Sequence, residues 1–214
     1  MKPAKPPASR PRSVAASASH RVRIIGGRWK RTVIPVFDGD GLRPTPDRVR
    51  ETLFNWLGQE LDGLSCLDLF AGSGALSFEA ASRGASRVVC VDKSRAAIAS
   101  IHALVAKLEA TMIVPLTADA LAYATSAAAD GQRFDLVFLD PPFRDGWIQR
   151  SLPLACQLLR PDARIYVEAE EDITPFATEL GLVTLKHDRA GQVHYHLLSC
   201  PPPDGAGADL PLGA

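Results

Sequence analysis

Two short segments carry side chains able to do chemistry, and they stand about seventy residues apart: Asp68-Leu69-Phe70-Ala71-Gly72-Ser73-Gly74 and Asp140-Pro141-Pro142-Phe143. Each follows an apolar run that reads as a strand, so a parallel sheet would deliver both loops to the same carboxyl edge. Gly72 and Gly74 let the backbone turn sharply and let a ligand approach where a side chain would collide. The first loop therefore suits a nucleoside-containing cofactor. The second combines a carboxylate, a stiff proline pair and an aromatic ring, a set suited to holding a planar amine.

The strand Arg87-Val88-Val89-Cys90-Val91 ends at Asp92, whose carboxylate can accept hydrogen bonds from both hydroxyls of a ribose. That spacing also occurs in dinucleotide folds and does not separate a methyl donor from NAD. Asp68 favours the methyl donor: a carboxylate at the head of the glycine loop can hold the cationic amino-acid end of S-adenosylmethionine, and would be unwelcome beside a pyrophosphate. Asp119 can accept the adenine amine or cap the next helix, and the two roles can coexist. At Asp140 the chemical task is to activate an exocyclic base amine whose lone pair is delocalised into the ring. Asp140 can accept one of its hydrogens and the Pro141 carbonyl another, while Phe143 stacks on the base. Such chemistry needs no metal and no covalent protein intermediate. The base must leave its stack to reach the pocket. The plain alternative is a strand exit with a Pro turn and Phe143 in the core.

The elements that must position these groups alternate along the chain. Strands are expected at 65–69, 87–91, 112–116, 134–139 and 163–168, with helices at 74–83, 94–108, 118–128 and 146–159 and a short one near 172–180. Repeated strand-helix units point to an open α/β sheet with helices on both faces. Two last strands, near 182–187 and 192–198, are joined too tightly for a crossover and should form an antiparallel pair turning at Asp188 to Gly191. Upstream, Thr45 or Pro46 opens a helix carrying Val49, Leu53, Trp56 and Leu57 and ending near Gly58 or before Gly63. Before it, Arg21 to Ile25 and Arg31 to Ile34 read as a small ribbon around Gly26-Gly27. Arg23, Arg28, Trp29, Lys30 and Arg31 on that ribbon interleave basic and aromatic groups, which can grip phosphates and stack on a base. Alternatively, Trp29 packs on the main domain and the charges face water.

The 214 residues allow one α/β domain with a modest appendage: a disordered basic tail at 1–20, the hairpin and linker at 21–45, the main domain at 46–200 and a loose tail at 201–214. Formal net charge is zero, yet residues 1–60 hold 12 Lys or Arg against 5 Asp or Glu, and the remainder 12 against 19. That asymmetry is compatible with a basic docking face on an acidic catalytic body. Cys66, Cys90, Cys156 and Cys200 are too widely spaced for a zinc site and read as buried free thiols. No segment resembles a membrane span or a secretory signal, so a soluble cytoplasmic protein is expected.

The motifs quoted, together with Arg23-Ile24-Ile25-Gly26-Gly27, Leu42-Arg43-Pro44-Thr45, the run from Asp47 to Leu57, Ile165-Tyr166-Val167-Glu168 and Gly191-Gln192-Val193, occur in an order that resembles the bacterial RsmD family over roughly residues 21 to 198. These are guanine-N2 methyltransferases of 16S ribosomal RNA. The resemblance implies a class I S-adenosylmethionine-dependent methyltransferase fold, Rossmann-like, with a seven-stranded mostly parallel sheet, an antiparallel last strand and an N-terminal β-hairpin. It further implies action on assembled or partly assembled 30S particles rather than naked RNA; a monomer is expected. Asp68, Phe70, Gly72 and Gly74 would frame the methyl donor, Asp92 its ribose and Asp119 its adenine. Asp140, Pro141 and Phe143 would engage the guanine. Arg43 and Thr45 would lie beside the cleft, and the basic hairpin would contact RNA. The family commonly has Glu where this chain has the shorter Asp92, and Asn where it has Leu104.

Two other functions fit the same residues: an adenine-N6 methyltransferase acting on DNA or RNA, since the Asp-Pro-Pro-Phe loop serves the same amine chemistry, and a ribosome-assembly binding protein that has lost catalysis. Glu168, Tyr166, Gln192 and His194 stay outside the assignment, because Glu168 at its strand end could help shape the base pocket or equally pair with a nearby Arg, and the last-strand residues could face the cleft or solvent.

Overall fold

The computed structural model describes residues 22–36, 46–143 and 145–200. Both terminal tails, and with them Arg21, Arg43 and Thr45, lie outside the described residues.

A short antiparallel ribbon opens the described chain, pairing β1 (Val22–Arg23) with β2 (Val33–Ile34). Its strands are shorter than expected because the intervening residues close into turns. Arg31 N–H donates to the Ile24 carbonyl at 2.8 Å, and Arg31 takes a positive φ of 73°. Next comes α1 (Asp47–Leu57), with Pro46 at its N-cap and Gly58 past its end at φ 89°. The alternating core follows as β3 (Ser65–Asp68), α2 (Ala75–Ser82), β4 (Arg87–Asp92), α3 (Arg95–Leu108), β5 (Ile113–Thr117), α4 (Ala120–Ala129), β6 (Phe134–Leu139), α5 (Trp147–Cys156) and β7 (Leu159–Ala169). It ends with α6 (Thr174–Glu179), β8 (Val183–Ala190) and β9 (Val193–Ser199).

The seven strands lie in the order β5-β4-β3-β6-β7-β9-β8. The first five run parallel, and β9 is antiparallel to both of its neighbours. Central strands need apolar side chains on both faces: β4 supplies Val88 to Val91 and β6 Leu136 to Leu139 without interruption, with Cys66 and Leu67 of β3 between them. Alternation sends Cys66, Leu136, Phe138 and Tyr166 into one core layer and Leu67, Val89, Val137 and Ile165 into the other. The chain reverses its direction of winding between β3 and β6, and loops leaving such a switch point open a crevice at the carboxyl edge.

Three boundaries depart from the sequence reading. Helix α5 stops at Cys156 and β7 begins at Leu159, because Phe134 N–H captures the Leu158 carbonyl at 2.8 Å and draws the chain into the sheet. Pairing of β8 with β9 runs through Ala190↔Val193, so the turn is Gly191-Gln192, with Gly191 at φ 66°, rather than Asp188 to Gly191. Cys200 is exposed and Cys156 half-buried, so only Cys66 and Cys90 are the expected buried thiols.

The ribbon is fixed to the domain by a buried polar staple. Ile25 and Gly26 donate their N–H groups to the Glu79 carboxylate at 2.7 and 2.8 Å, and Arg83 donates to the same carboxylate at 2.8 Å. Arg50 donates to the Arg23 carbonyl at 2.8 Å. Gly27 is required here: a Cβ at that position would sit 1.9 Å from the Ser82 carbonyl oxygen.

Candidate active site

Strands β3 and β6 are parallel neighbours in register at Asp68↔Phe138, so the two chemically promising loops leave adjacent positions on the same edge. The glycine loop is left-handed at Gly72, φ 52°, and at Gly74, φ 79°, conformations that favour glycine. A Cβ on Gly74 would also press on Phe78 and Ile101 at 3.1 and 3.2 Å.

Asp68 is fully buried at the head of this loop. Ser77 Oγ donates to its Oδ2 at 2.6 Å, while Oδ1 is buried without a hydrogen-bond partner. Burial pushes the carboxyl up to about 7; the Ser77 hydrogen bond opposes that rise and the charge of Asp140 adds to it. An orphaned buried carboxylate oxygen is costly. The cationic amino group of S-adenosylmethionine would satisfy it, so this donor set fits that cofactor.

Asp92 ties two loops together: its Oδ2 accepts the Gly72 N–H at 2.8 Å and its Oδ1 the Ser94 N–H at 2.7 Å. Each oxygen retains a second lone pair that a ribose hydroxyl can use. Asp119 caps α4, its Oδ1 accepting from Leu121 and Ala122 at 3.0 Å each, which leaves Oδ2 outside the cap bonds. Leu104 is buried in the core beneath α3 and offers the site no hydrogen bond.

Beside the Asp140 loop lies a cavity of about 270 Å³, lined by Pro141, Pro142, Phe143, Trp147, Glu168 and Ile173 among others. Phe143 is 41 % exposed, so its ring is available to a base rather than committed to the core. Trp147 was not singled out by the sequence reading. It contacts Phe70 of the glycine loop edge-on, with ring centroids 5.6 Å apart, and Arg150 covers it at 4.7 Å. Trp147 thus joins the glycine loop to this cavity, a placement its position at the start of a helix could have suggested. Tyr166 and Glu168, set aside from sequence, are both buried, and the Tyr166 hydroxyl donates to Glu168 Oε1 at 2.8 Å.

On the ribbon, Arg23, Arg28, Lys30 and Arg31 are exposed. Trp29 corrects the stacking expectation: its side chain is buried in the core, and its backbone N–H donates to Ser82 Oγ at 2.9 Å, so the residue serves to seat the ribbon. Arg43 and Thr45 lie outside the described residues. Elsewhere, atoms of Asp172, His187 and His196 gather within 4.8 Å. The rings of His187 and His196, however, stack in parallel at 4.2 Å and 4°, so their lone pairs run side by side rather than converging on an ion.

Comparison with known proteins matches residues 22–199 to a family model described as Conserved hypothetical protein 95. The ribosomal RNA small subunit methyltransferase D of Escherichia coli is 40% identical over 190 residues, spanning 85% of this chain and 91% of that protein. Its Haemophilus influenzae counterpart is 40% identical over 188 residues, spanning 85% of this chain and 95% of that protein. Among solved structures, yhhF from Escherichia coli superposes with a TM-score of 0.72 at 37% identity, covering 85% of this chain and 98% of that one. With the seven-stranded fold and the glycine and Asp140 loops leaving neighbouring strands in place, the chain belongs to the family of these ribosomal RNA small subunit methyltransferases D, the RsmD family.

Proposed function

We propose that this protein transfers a methyl group from S-adenosyl-L-methionine to the exocyclic N2 amine of a guanine in 16S rRNA, acting as a monomer in the cytoplasm on assembled or partly assembled 30S particles. The observation that carries the reading is the side-by-side exit of Asp68 and Asp140 from β3 and β6: a cation-seeking buried carboxylate lies next to an amine-seeking one. When bound, S-adenosylmethionine supplies a methyl group already activated by its positive sulfur.

This chain's residues do the rest. Asp68 holds the ammonium group, the Gly72 and Gly74 turns make room for the donor, Asp92 accepts from the ribose hydroxyls and Asp119 from the adenine amine through Oδ2. Phe70 and Trp147 wall the passage between the donor loop and the base. Asp140 accepts one hydrogen of the guanine N2 amine and the Pro141 carbonyl the other, which draws the nitrogen toward a tetrahedral shape and aims its lone pair. Phe143 stacks on the extruded base. Arg23, Arg28, Lys30 and Arg31 grip phosphates and set the protein's register on the particle.

The test supplies labelled donor with undermethylated 30S particles, protein-free 16S RNA or duplex DNA. Label is expected in the 30S sample. Asp140→Ala should lose turnover by about 100-fold or more while still binding the particle, because the acceptor acts on the reacting amine. Label entering DNA, or undiminished turnover in Asp140→Ala, would contradict the reading.

A further inference from the structure

We propose that Glu168 is a specificity-determining residue that reads the guanine edge by accepting the ring N1–H next to the reacting amine, with Tyr166 as the residue that positions it. This rests on the reading that the substrate base is guanine.

The geometry begins with strand register. Strands β6 and β7 are parallel neighbours that pair at Leu139↔Val167, the residues immediately before Asp140 and Glu168 at the carboxyl edge, on strands about 5 Å apart. Glu168 lines the same cavity as Pro141 and Phe143, yet it is only 3% exposed. Two residues earlier on the same face, the fully buried Tyr166 donates its hydroxyl to Glu168 Oε1 at 2.8 Å, which fixes the carboxylate's orientation. Burial first, and then the charges of Glu168 and Asp140, hold the Tyr166 phenol well above its ordinary range. The hydroxyl therefore remains a donor throughout the neutral range, with both carboxylates around it.

Matching donors to acceptors gives this pair its meaning. A guanine presents three hydrogens on two neighbouring nitrogens: the N1–H and the two on N2. The site offers three acceptors along one edge: Glu168, Asp140 and the Pro141 carbonyl. Adenine and cytosine carry an exocyclic amine too, but the adjacent ring nitrogen bears a lone pair instead of a hydrogen. A fixed, buried carboxylate facing that lone pair is repelled, so those bases lose a hydrogen bond and gain an electrostatic penalty. Asp140 alone would accept any of the three amines. Glu168 supplies the discrimination.

The experiment measures 30S methylation kinetics and product nucleosides for wild type, Glu168→Gln and Tyr166→Phe, alongside binding of S-adenosylhomocysteine. For Glu168→Gln the efficiency of N2-methylguanosine formation should fall about 10-fold, because the amide keeps an acceptor oxygen but loses the charge that strengthens the bond. Affinity for S-adenosylhomocysteine should stay at the wild-type value. Tyr166→Phe should show a smaller loss of the same kind. Unchanged efficiency in Glu168→Gln, while wild type makes N2-methylguanosine, overturns the role of Glu168 alone. So does a loss matched by lost S-adenosylhomocysteine binding, since that marks a structural role. A wild type that methylates a different base instead removes the reading on which the role rests.

Discussion

Asp68 shows how a single residue couples protonation to binding. Burial pushes its carboxyl up to about 7. Since that value is raised above the unfolded one, the folded chain binds the extra proton, and stability falls as pH climbs from the ordinary carboxylate range toward 7. Cation binding needs the ionised form. Affinity for S-adenosylhomocysteine, which carries the same ammonium group, should therefore rise across that window by up to about tenfold per pH unit and level off above it. In Asp68→Asn the dependence should disappear; a flat wild-type profile from calorimetry would contradict the assignment. Asp68, Asp92 and Asp140 could be picked from sequence because each follows an apolar strand. Glu168 could not, since its significance depends on β7 lying beside β6, and register across strands is a tertiary fact. Trp29 misled for a related reason: its neighbours are basic, but the surface that buries it comes from α2.

At the scale of elements, the ribbon depends on α2 more than on its own two pairs of residues. Glu79 accepts from Ile25, Gly26 and Arg83 in a buried setting and faces Arg50, itself fully buried, at 3.6 Å. Removing one partner of such a network leaves uncompensated buried charge. Glu79→Ala should lower unfolding stability by about 3–5 kcal/mol, as read by chemical denaturation, and loosen the ribbon; a loss too small to measure would show that the staple is not what seats it. The alternation of strands and helices was legible because period-2 and period-3.6 patterns are local. The ends of α5, β7 and β8 were not, because the Phe134 bond to Leu158 and the β8–β9 register decide them from outside the segment. The ribbon's length was hidden for the same reason, its turns being set by bonds between Ile24 and both Arg31 and Thr32.

For the whole molecule, two surfaces of opposite character divide the work. The ribbon exposes Arg23, Arg28, Lys30 and Arg31, while the exposed Glu170 and Glu171 line the cavity beside the Asp140 loop. The exposed cations of the ribbon attract phosphates. Replacing Arg28, Lys30 and Arg31 together with Gln should weaken 30S binding and reduce the salt slope by about two to three; an unchanged slope would move the RNA face elsewhere. Among the described residues, no helix is long and apolar enough to cross a membrane. The sheet order, with its switch point between β3 and β6, brings the glycine loop and the Asp140 loop together, and the identity of the methylated amine is the central claim of the proposal. The most direct measurement is mass spectrometry of nucleosides digested from undermethylated 30S particles after reaction with the protein and labelled S-adenosylmethionine. N2-methylguanosine carrying the label is the predicted product. Labelled N6-methyladenosine, or no labelled nucleoside from a folded protein that binds the particle, would contradict the account.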